Sequence, residues 1–190
     1  MGISPAKKAG GLAILIYLGM IDVMKWFSFT ILAVLTIVFQ TTVVQAMAIH
    51  SVWPNWMFIL AVHYALWGPW PDAAIAAWTL GLVVDLFSGG RIGLNAFCFG
   101  GAAWAIMYLR QVMFRDHPMT QILVTLLFML VVQGITGLYY CWDASVAVPW
   151  KSLGWSAFFT AVYTAAWAPY LHWPLIRLER WTGLRGTSKP

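Results

Sequence analysis

Apolar runs of near membrane-crossing length succeed one another along this chain, at 26–49, 56–67, 73–87, 92–108, 120–142 and 152–173, with only short polar breaks between them. A helix rises about 1.5 Å per residue, so a hydrocarbon core of about 30 Å takes about 20 residues to cross. The 190 residues therefore accommodate about six such helices and leave no room for a separate soluble domain. Composition agrees: 62% of the residues are hydrophobic, mean hydropathy is +0.77, and 9% are charged, against about 25% in a soluble domain. The expected fold class is an all-α membrane protein, a bundle of about six transmembrane helices.

The breaks have physical causes. Pro54 lies in the turn before the second run, and Gly68-Pro69-Trp70-Pro71-Asp72 interrupts the chain where two prolines cannot donate backbone hydrogen bonds. The second and third runs are short for a full crossing. They are expected to stand upright, thin the bilayer or shelter inside the bundle. Thirteen tryptophans, among them Trp53, Trp70, Trp142 and Trp173, fall mostly near the ends of runs, where interfacial anchors belong.

Three regions follow: an N-terminal extension 1–25, a six-helix domain 26–174 and a basic tail 175–190. In the extension, residues 9–24 form an apolar run broken only by Asp22 and closed by Lys25, without a small-residue cleavage site. The run is expected to be retained as a short amphipathic or interfacial helix. With the N-terminus in the cytoplasm, six crossings put Lys7, Lys8, Lys25, Arg110, Arg115 and the tail inside, leaving Arg91 and Lys151 outside. The positive-inside rule favours this arrangement over seven crossings, which would move Lys7 and Lys8 outside. Both termini are expected to be cytoplasmic. The same topology accounts for the net charge of +5, and no basic run interleaved with aromatics points to nucleic acid.

Polar residues inside such runs need a reason to be there. Asp85 ends the third run and is followed by Ser88, Gly89, Gly90, Arg91 and Gly93, so its carboxylate is expected to accept hydrogen bonds from the turn or to pair with Arg91. A contact with a partner or ligand, or a proton relay, stays open. Asn95 reads as glue between helices. Gln40, near Thr41, Thr42 and Gln45, should face other helices, and Gln133 with Gly134 and Gly137 offers a small-residue face for close helix approach. His63 reads as a lone interior histidine.

No catalytic, cofactor or metal residue is assigned. Ser88 has no histidine in an obviously matching run, the only glutamate is Glu179 in the tail, and the glycines 89–93 lack the lysine and spacing of a phosphate loop. Cys98 and Cys141 have no ligand neighbours at metal spacing. The chain is expected not to be an enzyme.

The segment Gly81-Leu82-Val83-Val84-Asp85-Leu86-Phe87-Ser88-Gly89, continuing through Gly93 and Ala96 to Arg110, resembles the MreD family of rod shape-determining membrane proteins. The placing of Gln40 and Pro54 and the basic tail agree, although Asn55 stands where an acid is expected after Pro54. The resemblance implies a non-catalytic subunit of the bacterial cell-elongation machinery in the cytoplasmic membrane. It would bind a single-span MreC-like protein and, indirectly, peptidoglycan synthases and MreB, surrounded by membrane lipids. It also implies a fold similar to the substrate-binding components of energy-coupling-factor transporters. The alternative function is therefore binding of a vitamin-type small molecule for transport.

Overall fold

Glycine and proline divide the apolar chain into six helices among the described residues, which are 26–46, 52–110, 117–142 and 150–177 of the computed structural model. In chain order they are α1 (Trp26–Ala46), α2 (Trp56–Trp67), α3 (Asp72–Ser88), α4 (Leu94–Leu109), α5 (Pro118–Trp142) and α6 (Trp150–Arg177). The extension 1–25 and the tail beyond Arg177 lie outside the described residues.

The local chemistry explains the boundaries. Asn55 caps α2, its side chain accepting from Met57 N–H, as asparagine does well at that position. Gly68 ends the helix, its N–H donating to Tyr64 O at 2.7 Å. A Cβ on Gly68 would stand 2.5 Å from Tyr64 O and 2.7 Å from Ala73 Cβ, so the turn into α3 admits no larger residue. Gly89 closes α3 with φ 64° and Gly93 opens α4 with φ 102°, left-handed conformations that glycine adopts without strain. Pro118 is the first residue of α5, where a missing N–H costs nothing.

The short helix α2 is the centre. It touches every other described helix, and all residues from Met57 to Leu66 are buried. A helix that is apolar nearly all round is buried in lipid or in other protein, and here the other helices surround it. Around it the core gathers Phe29 from α1, Leu80 from α3, Phe99 from α4, Phe128 and Met129 from α5 and Ala161 from α6. Phe58, Phe99 and Phe128 form a mutual cluster with ring centroids 4.5 to 5.9 Å apart, the spacing at which tilted and edge-to-face rings attract.

Helices α3 and α4 make the closest pair. Ala73, Ala77, Gly81 and Asp85, spaced four residues apart, are all buried on α3. A Cβ on Gly81 would meet Asn95 O at 2.6 Å and Ala96 Cα at 2.7 Å, so the two backbones touch there. In lipid, where apolar side chains gain little by leaving the solvent, such close packing is a main source of helix association.

The outside is as apolar as the inside. Phe27, Phe97, Tyr108, Met119, Leu138 and many other large apolar side chains are exposed, far beyond the isolated patches a water-soluble monomer tolerates. Among the described helices α5 is the one long and apolar enough to cross a membrane by length and composition alone. Trp53, Trp70, Trp142 and Trp173 lie exposed at or near helix ends, whereas Trp78 and Trp104 are exposed in the middle of α3 and α4.

Candidate functional site

The α3–α4 hairpin concentrates the polar groups around one carboxylate. Asp85 is 1% exposed. Its Oδ2 accepts from Gly93 N–H at 2.8 Å and Ala96 N–H at 3.1 Å. Its Oδ1 accepts from Asn95 N–H at 3.1 Å and Asn95 Nδ2 at 2.9 Å. The first N–H groups of any helix lack intrahelical acceptors and carry partial positive charge. Asp85 therefore caps α4 from the preceding helix, its buried carboxyl oxygens satisfied by the N–H groups at the start of that helix and by the Asn95 side chain. Ser88 Oγ donates to Asp85 O at 3.2 Å, closing the last turn of α3. Gly90 packs against Tyr140 of α5, whose hydroxyl occupies the space a Cβ would need.

A second polar cluster anchors the start of α2. Gln40 Nε2 donates to Pro54 O at 3.2 Å while its Oε1 accepts from Trp56 N–H at 2.9 Å. Thr164 Oγ1 of α6 accepts from Asn55 N–H at 2.9 Å. At the other end, Arg110 Nη1 donates to Gly68 O at 2.6 Å and Ala65 O at 3.2 Å. A cation on terminal carbonyls is favourable by charge as well as by hydrogen bonding. Both ends of the buried helix are thus satisfied by side chains from elsewhere in the chain.

The lone-histidine reading of His63 is corrected. His63 Nδ1 lies 3.2 Å from His172 Nδ1 of α6, both rings fully buried, with Trp67 against them. The pairs Asn55–Thr164 and His63–His172 have the same sequence separation, so α2 and α6 run parallel in one register. A neutral imidazole has one donor and one acceptor nitrogen. If one Nδ1 carries the shared proton, the other ring carries its proton on Nε2. Neither Nε2 has a hydrogen-bond partner among the described residues.

On α5, Gln133 is half-buried, and a Cβ at Gly134 or Gly137 would meet nothing within 4 Å. No helix of the described chain fills that face. The structure thus brings Asp85, Ser88, Gly89, Gly93 and Asn95 together, places Gln40 at the start of α2, and leaves Gln133, Gly134 and Gly137 apart from both.

Several working residues were not assigned from sequence. Gly81 carried a readable signal, since it precedes Asp85 by one helical turn in the same quoted segment. Arg110 ends the segment that carries the resemblance, but its bond to α2 was not readable there, and Thr164 and His172 had no signal beyond their polarity, because each acts on a helix far away in the chain. Among the described residues no group of three or more His, Cys, Asp or Glu gathers as metal ligands would.

Comparison with curated proteins and with solved structures gives no match. The family model of rod shape-determining protein MreD matches residues 20–178, which include every helix described above. The hairpin that carries the resemblance in sequence is also where the structure concentrates its buried polar bonds. The chain belongs to the MreD family of rod shape-determining proteins, membrane proteins of the cell envelope.

Proposed function

We propose that this chain is a non-catalytic integral membrane subunit of the bacterial cell-elongation complex. Six helices cross the cytoplasmic membrane with both termini inside, and the bundle binds a single-span MreC-like protein. Through that protein it acts on peptidoglycan synthases and the MreB cytoskeleton. Family membership supports the setting. The charge distribution supports the orientation, since six crossings put Lys7, Lys8, Lys25, Arg110, Arg115 and the basic tail on one side and only Arg91 and Lys151 on the other.

The observation that carries the binding role is the open glycine face of α5. Gly134 and Gly137 leave room at the backbone for another helix, and Gln133 beside them can hydrogen-bond across such a contact. The hairpin polar groups serve the fold. Every Asp85 oxygen is occupied by α4, and Ser88, Gly89, Gly93 and Asn95 shape the same turn. Binding of a vitamin-type molecule has less support, because the grooves between α4 and α5 and between α3 and α4 are open and lined almost wholly by apolar groups, whereas such ligands need convergent polar contacts.

Purification of the full chain from membranes tests the proposal. A stable complex with an MreC-like single-span protein is expected, weakened by Gly134→Leu. Repeated co-purification of a small molecule without any such protein would favour the transport reading instead.

A further inference from the structure

A groove of about 630 Å³ runs between α4 and α5 and is apolar except at one end. Leu94, Gly101 and Ala105 line it from α4, and Val131 and Ile135 from α5. Arg91 stands at the mouth, exposed, with its guanidinium 5.4 Å from the centre of the Tyr139 ring.

Its length identifies what fits. From Leu94 to Ala105 a helix advances about 16 Å, which is close to half of the roughly 30 Å hydrocarbon core. The groove is one leaflet deep. A partner's transmembrane helix would need a seat running through both leaflets, whereas one acyl chain needs only this depth. Arg91 then stands at the level of the lipid headgroups. Arginine keeps its charge at every accessible pH and presents a planar fork suited to phosphate. Stacking on Tyr139 holds that fork beside the groove's open end.

We infer that the α4–α5 groove is a binding site for one anionic glycerophospholipid, its acyl chain along Leu94 to Ala105 and its phosphate on Arg91. The inference rests on the reading of the bundle as membrane-crossing. It concerns a different surface from the proposed partner face, since Gln133, Gly134 and Gly137 do not line the groove. Gly101 is the residue that keeps the groove open: a Cβ there meets nothing within 4 Å. A larger side chain at this position therefore fills the groove without disturbing the core.

The test is native mass spectrometry of the full chain released from bilayers of mixed phosphatidylglycerol and phosphatidylcholine. One phosphatidylglycerol should be retained in preference to phosphatidylcholine. Arg91→Gln should lower that preference about fivefold, the effect of about one interfacial cation, while Arg91→Lys should keep most of it. Gly101→Leu should lose the retained lipid with an unchanged melting temperature. Equal retention of both lipids, or an unaltered preference in Arg91→Gln, would overturn the inference. So would efficient cross-linking of a cysteine at Ala105 to a partner's membrane helix, which would give the groove to a protein. Both variants should still co-purify with the MreC-like partner. Absence of a lipid preference from the wild-type preparation while the partner is retained therefore counts against this site, and absence of the partner from the wild-type preparation counts against the functional reading.

Discussion

Asp85 and the His63–His172 pair are both polar groups sealed inside the bundle, but they are satisfied to different degrees. The carboxylate meets four donors at 2.8 to 3.1 Å, three of them backbone N–H groups that have no other use at the start of α4. The histidines meet each other through one contact and leave both Nε2 atoms without a partner among the described residues. A saturated cluster fixes a geometry, and removing its centre strands every donor at once. A half-satisfied pair contributes less, because part of its desolvation cost is never recovered. The hairpin clasp is therefore the polar feature on which the fold depends most, and the histidine pair is the more replaceable.

Substitutions can break that contrast. Asp85→Leu removes the acceptor and leaves three backbone N–H groups unmet, that of Ala96 buried and those of Gly93 and Asn95 part-buried, with an expected loss of about 3–5 kcal/mol, read as failure to accumulate in membranes or a large fall in melting temperature. Gly81→Ala presses a methyl into the α4 backbone and should cost about 1–3 kcal/mol by thermal unfolding. The same change at Gly134, where the space is open, should stay within about 0.5 kcal/mol. Arg110→Met withdraws the cation from the last carbonyls of α2 and should cost about 1–2 kcal/mol by the same measurement.

The histidines give a smaller effect changed together than changed singly. His63→Phe alone strands the Nδ1 of His172 and should cost about 1–3 kcal/mol, whereas the double change to phenylalanine should lie within about 1 kcal/mol of the original protein. A double-mutant cycle measures this directly. Strict additivity of the two single losses would show that the rings do not interact.

Much of the architecture was legible because local chemistry decides it. Proline and glycine set the ends of α2 and α3, so runs expected at 56–67 and 73–87 appear as Trp56–Trp67 and Asp72–Ser88. The start of α4 shifted from an expected residue 92 to Leu94, since the carboxylate cap and the positive φ of Gly93 hold the turn open longer. The hairpin cluster was visible because Asp85, Gly93 and Asn95 are close in the chain. The central burial of α2 was not, because an all-apolar run looks the same facing lipid or protein. Nor was the partnership of His63 with His172, which depends on the parallel register of two helices far apart in sequence. The absence of an acid after Pro54 proved to have little structural consequence: Asn55 supplies the side-chain acceptor that the start of α2 requires.

The most direct test concerns whether the hairpin holds the fold or touches the partner. Asp85→Asn should be compared with the original chain for melting temperature and for MreC-like protein recovered per folded subunit. The expected result is a lower melting temperature, by the equivalent of about 1–3 kcal/mol, with recovery per folded subunit unchanged. An unchanged melting temperature with the partner lost would place Asp85 at the interface and contradict the clasp.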